Sequence, residues 1–122
     1  MKKIYLYSDG SSLGNPGPGG YGTILKYKDK CKILSGGAKN TTNNQMELLG
    51  VIEGLKALKE PCDVEIISDS KYVVQGINEW LKNWQKNGFR TADKKPIKNI
   101  ELWQEYITAS QNHKINASWV KG

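Results

Sequence analysis

Three acidic residues lie at positions that suit chemistry better than ordinary structure. Asp9 ends the strand-like run "KIYLYS", and Asp69 ends the run "EIIS". Glu47 falls near the start of a predicted helix, on the same face as Gly50 and Gly54. That face is small and apolar and should pack on a sheet, where an acid is costly unless something pairs with it.

The chemistry these acids could perform is metal-assisted. If the strands before Asp9 and Asp69 are parallel neighbours, both carboxylates emerge at the same edge of the sheet, where α/β proteins usually bind ligands. No Lys or Arg occupies an obvious pairing position near either acid. Mg²⁺ takes oxygen ligands and would relieve the mutual repulsion. Two such ions about 4 Å apart can activate a water and stabilise the leaving oxygen in phosphodiester hydrolysis.

Simpler roles remain open for two of the acids, whereas other chemistries are disfavoured. Asp69 could cap the following helix together with Ser70, and Glu47 could be a half-exposed acid favoured by the helix dipole. One His, two distant cysteines and no HExxH motif leave nothing for zinc. "GNPGPGG" lacks the GK[ST] ending of a phosphate loop, so we interpret it as a rigid turn.

The positive charge is concentrated in one part of the chain. The 122 residues carry a net charge of +6. Residues 71–99 hold seven bases and two acids, and therefore +5 of that charge. Such clustering favours a surface that binds a polyanion, with a solvated helix face as the alternative.

The elements that must position the acids follow from periodicity. "KKIYLYSD" alternates, with Ile4 and Leu6 on one face, and "YGTILKYK" and "CKILSGGA" follow it across short turns, which predicts an antiparallel meander. A helix begins at a capping box of Thr42 and Gln45 and is ended by Pro61. "DVEIISD" and "KINASWV" predict strands, and "SKYVVQGINEWLKNWQKNG" and "NIELWQEYITAS" predict helices. The predicted fold class is α/β, with a five-stranded mixed sheet, antiparallel and then parallel, flanked by helices.

Length and composition favour one soluble domain covering residues 1–122. No apolar run approaches the roughly 18 residues of a membrane helix, and the N-terminus is too short for a signal peptide, so we expect a cytoplasmic location. Cys31 and Cys62 are expected to be reduced, part-buried thiols. His113, before the last strand, is expected to be an ordinary surface residue.

Five motifs in order resemble those of bacterial type 1 ribonuclease H. They are "DGSSLGNPGPGGYG", "TTNNQMEL", "SDSKYV", "WQKNGFRTADKKPIKNIELW" and "WVKG", and they extend over essentially the whole chain. The resemblance implies the ribonuclease H fold and endonucleolytic hydrolysis of the RNA strand in RNA–DNA hybrids, giving 3′-hydroxyl and 5′-phosphate ends. It places Asp9, Glu47 and Asp69 on the family's first three catalytic carboxylates, as ligands of two Mg²⁺ ions that Mn²⁺ could replace.

The same resemblance assigns residues to the nucleic acid. Those matching contacts to the RNA strand are Ser12, Asn15, Asn44 and Lys71. Those matching a pocket for a DNA phosphate, at a helix N-terminus suited to anions, are Thr42 and Asn43. Those matching the basic protrusion that holds the DNA strand are Trp80, Trp84, Lys86, Lys94 and Lys95. The two tryptophans also have the spacing of a core stripe, so packing and DNA contact both stay open.

The chain departs from the family pattern in three places. Lys71 stands where the family often has Gln, and the protrusion "NWQKNGF" is less basic than many. The sequence stops at Gly122, whereas the family continues with a His-bearing loop, a fourth catalytic Asp and a C-terminal helix. We therefore expect a domain truncated before that helix.

Two other functions stay in view beside hybrid cleavage. A hybrid- or duplex-binding module without catalysis is the alternative that the missing fourth Asp favours. A nuclease of integrase or junction-resolving type is a third, which "TTNN" and "GNPGPGG" disfavour. The expected partner is an RNA–DNA hybrid, bound by a monomer with no membrane and no obligate protein partner.

Overall fold

A computed structural model describes residues 1–90 and 97–122. Its strands are β1 (Lys2–Ser12), β2 (Gly17–Tyr27), β3 (Lys30–Thr41), β4 (Cys62–Ser68) and β5 (Lys114–Trp119). In the described part of the chain these form one five-stranded sheet in the order β3-β2-β1-β4-β5. β1 pairs antiparallel with β2 and parallel with β4, and β5 pairs parallel with β4. The predicted mixed sheet is confirmed.

β1 shows why the alternating pattern forms a strand with one buried face. Ile4, Leu6 and Ser8 are buried, whereas Tyr5 and Tyr7 between them are exposed. The strand continues further into the Gly/Pro segment than predicted, since β1 runs to residue 12 and β2 begins at residue 17. The glycines of this segment allow close strand pairing, which confines the turn to residues 13–16.

Helix α1 (Asn43–Lys56) begins at the predicted capping box. Thr42 Oγ1 accepts a hydrogen bond from Gln45 N at 3.2 Å, and Gln45 Oε1 accepts one from Thr42 N at 3.2 Å. The helix ends at Lys56, earlier than the predicted stop at Pro61. Pro61 restricts only the residue before it, Glu60, so it does not account for the end of the helix at Lys56. β4 begins directly after the proline.

Two glycines bring α1 unusually close to the sheet. A Cβ atom at Gly50 would lie 2.6 Å from Ser8 Oγ, and one at Gly54 would lie 2.8 Å from Leu6 Cδ1. Thr23 Oγ1 donates to the Gly50 carbonyl oxygen at 2.7 Å across this contact. The predicted packing of this helix face on the sheet is confirmed, and it brings the start of α1 towards the strands that hold the other two acids.

The helical region after β4 is continuous, as predicted, but it contains a π-helical turn that the sequence did not indicate. It consists of α2 (Lys71–Gln75), a π-helical turn (Gly76–Trp80) and α3 (Leu81–Lys86). The π turn begins where the ring of Trp103, from helix α4 (Ile100–Ser110), packs against the backbone of Gly76. The apolar pattern of the helix could not indicate this π turn, because the residue that contacts Gly76 belongs to a distant part of the chain.

The core lies between the sheet and the helices. Its fully buried side chains include Leu6, Leu48, Ile52, Val64, Ile66 and Trp103. An aromatic cluster joins Trp103 to Tyr72, Trp84 and Tyr106, with ring centroids 5.4–5.8 Å apart, and Trp80 extends it. Trp84 packs against the core, as its place in the stripe predicted, whereas the half-buried Trp80 contacts the rings of Tyr72 and Trp84. No helix in the described ranges is long and apolar enough to cross a membrane.

His113 and the cysteines differ from expectation. His113 is half-buried, and its Nδ1 accepts a hydrogen bond from Cys62 N at 3.0 Å, so the prediction of an ordinary surface residue is wrong. Burial lowers the pKa of its imidazole, which favours the neutral form that accepts this bond. Cys62 is buried and Cys31 is exposed, and both are free thiols.

Candidate active site

The structure brings the three acidic residues together at one edge of the sheet. Asp9 belongs to β1, and Asp69 follows the last residue of β4. The parallel register of the two strands pairs Ser8 with Ser68, which sets the acids side by side. Glu47 joins them from α1, and one carboxylate oxygen from each residue lies within 4.8 Å of the others.

Glu47 is the buried member of the cluster. Its exposed fraction is 7%, whereas Asp9 and Asp69 are exposed. Ser8 Oγ donates to the Glu47 carbonyl oxygen at 3.1 Å, and a Cβ at Gly10 would lie 2.7 Å from Glu47 N. The alternative of a half-exposed, dipole-stabilised acid is therefore wrong, because strand and helix are in contact at this point.

The environment of Glu47 opposes its negative charge. Burial raises the pKa of this carboxyl from 4.5 to about 7, and the negative charges of Asp69 and Asp9 add to the rise. Hydrogen bonds from the Gly10 backbone and the Ser68 side chain oppose the rise. Glu47 Oε2 is nevertheless buried without a hydrogen-bond partner among the described residues. An orphaned acceptor beside two further carboxylates is an arrangement that a bound cation would satisfy.

The donor set fits a hard divalent cation. All three residues offer carboxylate oxygens, which are the ligands that Mg²⁺ and Mn²⁺ take in proteins. Within residues 1–90 and 97–122, no Lys or Arg forms a salt bridge with any of the three acids. Asp9 and Asp69, but not Glu47, border an open cavity of about 200 Å³, which is also lined by Tyr7, Ile67 and Val120. A phosphate group could approach the cluster from this side.

The residues predicted to contact the nucleic acid lie in three places. Ser12 and Asn15 lie at the turn, Thr42, Asn43 and Asn44 at the start of α1, and Lys71 at the start of α2. Asn43 Oδ1 accepts hydrogen bonds from Ser12 N at 2.6 Å and from Ser12 Oγ at 3.1 Å, which fastens the turn to the helix. Asn15, between β1 and β2, and Asn44, in the first turn of α1, are both exposed. Thr42 caps the helix, so its hydroxyl already accepts the bond from Gln45 N. The rigid turn and the helix start thus form one connected polar surface.

A hydrogen-bonded chain that the sequence did not indicate links α1 to the aromatic cluster. Gln45 Nε2 donates to Asn99 Oδ1 at 3.1 Å, and Asn99 Nδ2 donates to Tyr72 Oη at 3.0 Å. Trp103 Nε1 donates to the same hydroxyl at 2.9 Å. Asn99 adopts a left-handed conformation with φ of 59°, which Asn tolerates better than most residues. The only sequence signal for this link is the Asn before α4.

The predicted basic surface is described only in part. Lys71 begins α2 and Lys86 ends α3, and both are exposed, with Trp80 and Trp84 half-buried between them. Lys94 and Lys95 lie outside the described residues. Sequence reasoning missed Trp119, whose indole Nε1 donates to the Asp69 carbonyl oxygen at 2.9 Å. The only sequence signal for this residue was a Trp near the end of the predicted strand "KINASWV".

Comparison with known proteins agrees with the fold. The family model described as RNase H matches residues 1–122. A Ribonuclease H of Sulfurovum sp. is 60% identical over 121 residues, which are 99% of this chain and 79% of that protein. The crystal structure of LC9-RNase H1, a type 1 RNase H with the type 2 active-site motif, matches with a TM-score of 0.88 and 30% identity, over 100% of this chain and 64% of that one. LC11-RNase H1 in complex with an RNA/DNA hybrid has the same fold, with a TM-score of 0.67, 22% identity and coverage of 95% and 85%.

Proposed function

The chain belongs to the RNase H family of endoribonucleases, and from this premise we propose that it cleaves the RNA strand of RNA–DNA hybrids in a metal-dependent reaction. The products are 3′-hydroxyl and 5′-phosphate ends. The observation that carries the proposal is the convergence of Asp9, Glu47 and Asp69 within 4.8 Å. A binding module without catalysis would have no need to hold a buried, unpartnered carboxylate beside two others.

The three carboxylates would hold two Mg²⁺ ions, or Mn²⁺ in their place. Bound there, the ions supply Lewis-acid stabilisation of the phosphate and a water activated for attack. A bound cation would favour the ionised form of Glu47 and so oppose the burial that raises the pKa of this carboxyl to about 7. Asp9 and Asp69 are the exposed members of the cluster, so their carboxylates would hold the ions on the side that solvent and substrate can reach.

The surface around the acids suits a hybrid duplex. RNA-containing helices have a wide, shallow minor groove that displays 2′-hydroxyls, and proteins recognise it by shape and polar contact. Ser12 and Asn15 on the turn, and Asn44 on α1, are short polar side chains that fit such a groove. Thr42 and Asn43 stand at the positive end of the α1 dipole, where a DNA phosphate would bind.

The DNA strand of the hybrid would lie along the basic segment of the protein. It includes Trp80, Trp84, Lys86, Lys94 and Lys95. These residues belong to the part of the chain that carries +5 of the net charge of +6, and such a surface binds phosphates independently of sequence. We also propose that the protein acts as a single-domain monomer in the cytoplasm, without an obligate protein partner.

The test is cleavage of an end-labelled RNA–DNA hybrid in Mg²⁺, in Mn²⁺ and in EDTA. We expect metal-dependent cuts in the RNA strand only, with 3′-hydroxyl ends. Asp9→Asn should reduce cleavage to the level without protein and leave hybrid binding intact, since the amide keeps the shape but not the charge of the ligand. Asp29→Asn, in the exposed β2–β3 turn, is the matched control and should cleave normally.

Two outcomes would contradict the proposal. Cleavage by Asp9→Asn close to that of the unchanged protein would remove Asp9 from the site. Salt-sensitive hybrid binding with no cleavage at any metal concentration would instead support the binding-module alternative.

A further inference from the structure

Trp119 is an exposed aromatic residue at the edge of the acidic cluster, and the proposed chemistry does not yet use it. It ends β5, where the parallel register pairs it with Ser68 of β4. The next residue continues this pairing, since Val120 N donates to the Ser68 carbonyl oxygen at 3.0 Å. The exposed fraction of Trp119 is 45%, although the side chain makes two specific contacts, one through the indole nitrogen and one through the ring face.

The first contact holds the backbone of an acid in the cluster. Asp69 lies just beyond β4, so the β4–β5 ladder does not include it. Trp119 Nε1 donates to the Asp69 carbonyl oxygen at 2.9 Å. On the other side of Asp69, Ser70 N donates to Ser68 Oγ at 3.0 Å. The indole bond is therefore the direct link between β5 and the residue that carries the carboxylate.

The second contact holds a cation beside the cluster. Lys71 Nζ lies 5.0 Å from the centroid of the Trp119 ring, which is cation–π distance. Lys71 follows Asp69 by two residues, so its flexible side chain has a carboxylate close at hand. It nevertheless forms no salt bridge with an acid in the described ranges. The ammonium group of Lys71 is therefore held on the ring face of Trp119 and not by a carboxylate.

We propose that Trp119 is a positioning residue with two separable actions. Its indole N–H fixes the backbone of Asp69, and its ring face keeps the Lys71 ammonium available for a substrate phosphate instead of a carboxylate of the cluster. The first action affects ion binding and the chemical step. The second affects the affinity for nucleic acid. The substrate part of this inference rests on the proposed function, whereas the ion-binding part does not.

Two single substitutions separate the actions. Trp119→Phe keeps an aromatic face and removes the N–H donor, so kcat should fall about 10-fold with KM nearly unchanged, as for a misplaced reacting group. Lys71→Met keeps the length of the side chain and removes its charge. It should raise KM, and the Kd for hybrid measured in EDTA, about 5-fold with little change in kcat, as for one lost phosphate contact.

A double-substitution cycle tests whether the ring acts on Lys71. Trp119→Leu removes both the N–H and the aromatic face. In the Trp119→Phe background, Lys71→Met should weaken hybrid binding as it does in the unchanged protein. In the Trp119→Leu background its effect should be clearly smaller, because the ammonium is no longer held. Equal effects in both backgrounds would overturn the second action.

Ion affinity gives a readout that needs no substrate. The Kd for Mg²⁺, measured by calorimetry on the protein alone, should rise several-fold in Trp119→Phe and stay unchanged in the control Ser118→Ala. Ser118 lies on the same strand but its Oγ donates to Glu65 Oε2 at 3.0 Å, away from the acids. An unchanged Kd and kcat in Trp119→Phe, or equal losses in Ser118→Ala, would overturn the first action.

Failure of the proposed function would be seen separately. If the unchanged protein binds Mg²⁺ but cuts no hybrid, the proposed reaction fails. The comparison of Mg²⁺ affinities between Trp119→Phe and Ser118→Ala still decides whether Trp119 positions Asp69.

Discussion

At the scale of the residue, Glu47 is the acid whose surroundings differ most from water. Its folded-state pKa of about 7 stands above its ordinary value of 4.5. Without metal, the folded protein therefore holds a proton at Glu47 that the unfolded chain has released between these values. The contribution to stability is fully present below about pH 4.5 and is lost as the pH rises through about 7. The difference corresponds to on the order of 3 kcal/mol.

Glu47→Gln should remove this part of the pH dependence. The neutral amide carries no charge to desolvate, so in EDTA the variant should be more stable than the unchanged protein above pH 7 and similar below pH 5. Urea unfolding between pH 4.5 and 8 measures the difference. Glu101→Gln, an exposed acid in the first turn of α4, is the control. A constant offset between the two proteins at every pH would contradict the assignment.

Residue types and spacing were enough to predict that Asp9, Glu47 and Asp69 converge. In the sequence, Asp9 and Asp69 each follow a strand-like run and Glu47 lies on an apolar helix face, and the parallel pairing of β1 with β4 brings them together. Trp119 and Asn99 could not be predicted in the same way, because their partners are Asp69, Gln45 and Tyr72, in distant parts of the chain. His113 was mispredicted for the same reason, since its bond to the start of β4 depends on tertiary packing.

At the scale of the element, the glycines of α1 set the distance between helix and sheet. Gly50→Ala should destabilise the protein by about 1–3 kcal/mol despite the higher helix propensity of Ala, because the new methyl group overlaps Ser8 Oγ. Relief of the overlap would move α1, and with it Glu47, so kcat should fall as well. Urea unfolding and cleavage rates measure the two effects.

The matched control for this prediction is Gly22→Ala in β2. A Cβ atom at Gly22 meets nothing within 4 Å among the described residues, so its stability and activity should stay close to those of the unchanged protein. Equal costs at the two positions would show that loss of chain flexibility, and not the helix–sheet distance, explains the effect.

Elements with a strong local signal were predicted well. The alternation in β1 and the capping box of Thr42 and Gln45 are both local, and the structure contains each of them. The π turn at Gly76–Trp80 was missed, and the contact of Gly76 with the Trp103 ring from α4 is not visible in a local pattern. The end of α1 at Lys56, before Pro61, was also missed.

At the scale of the whole molecule, the asymmetric charge should govern affinity for nucleic acid. The Kd for hybrid in EDTA should rise steeply with salt, since bound phosphates release counterions. Lys86→Gln should weaken binding and reduce the slope of log Kd against log salt by about 0.9 if Lys86 neutralises one phosphate. Lys32→Gln, on β3 and outside the basic segment, should leave the slope unchanged. An equal change in both variants would indicate a diffuse effect of net charge.

The order of the strands also has a consequence for how the protein folds during its synthesis. β1 is the first strand to be synthesised, yet it occupies the centre of the sheet, between β2 and β4. On the ribosome, β1, β2 and β3 can pair as a local hairpin array as soon as they emerge, whereas the other edge of β1 must wait for β4. Asp9 lies on β1, whereas Asp69 follows β4, so these two acids come together only when β4 has paired with β1. We therefore expect a nascent chain that stops before residue 62 to have a folded meander and no ion site.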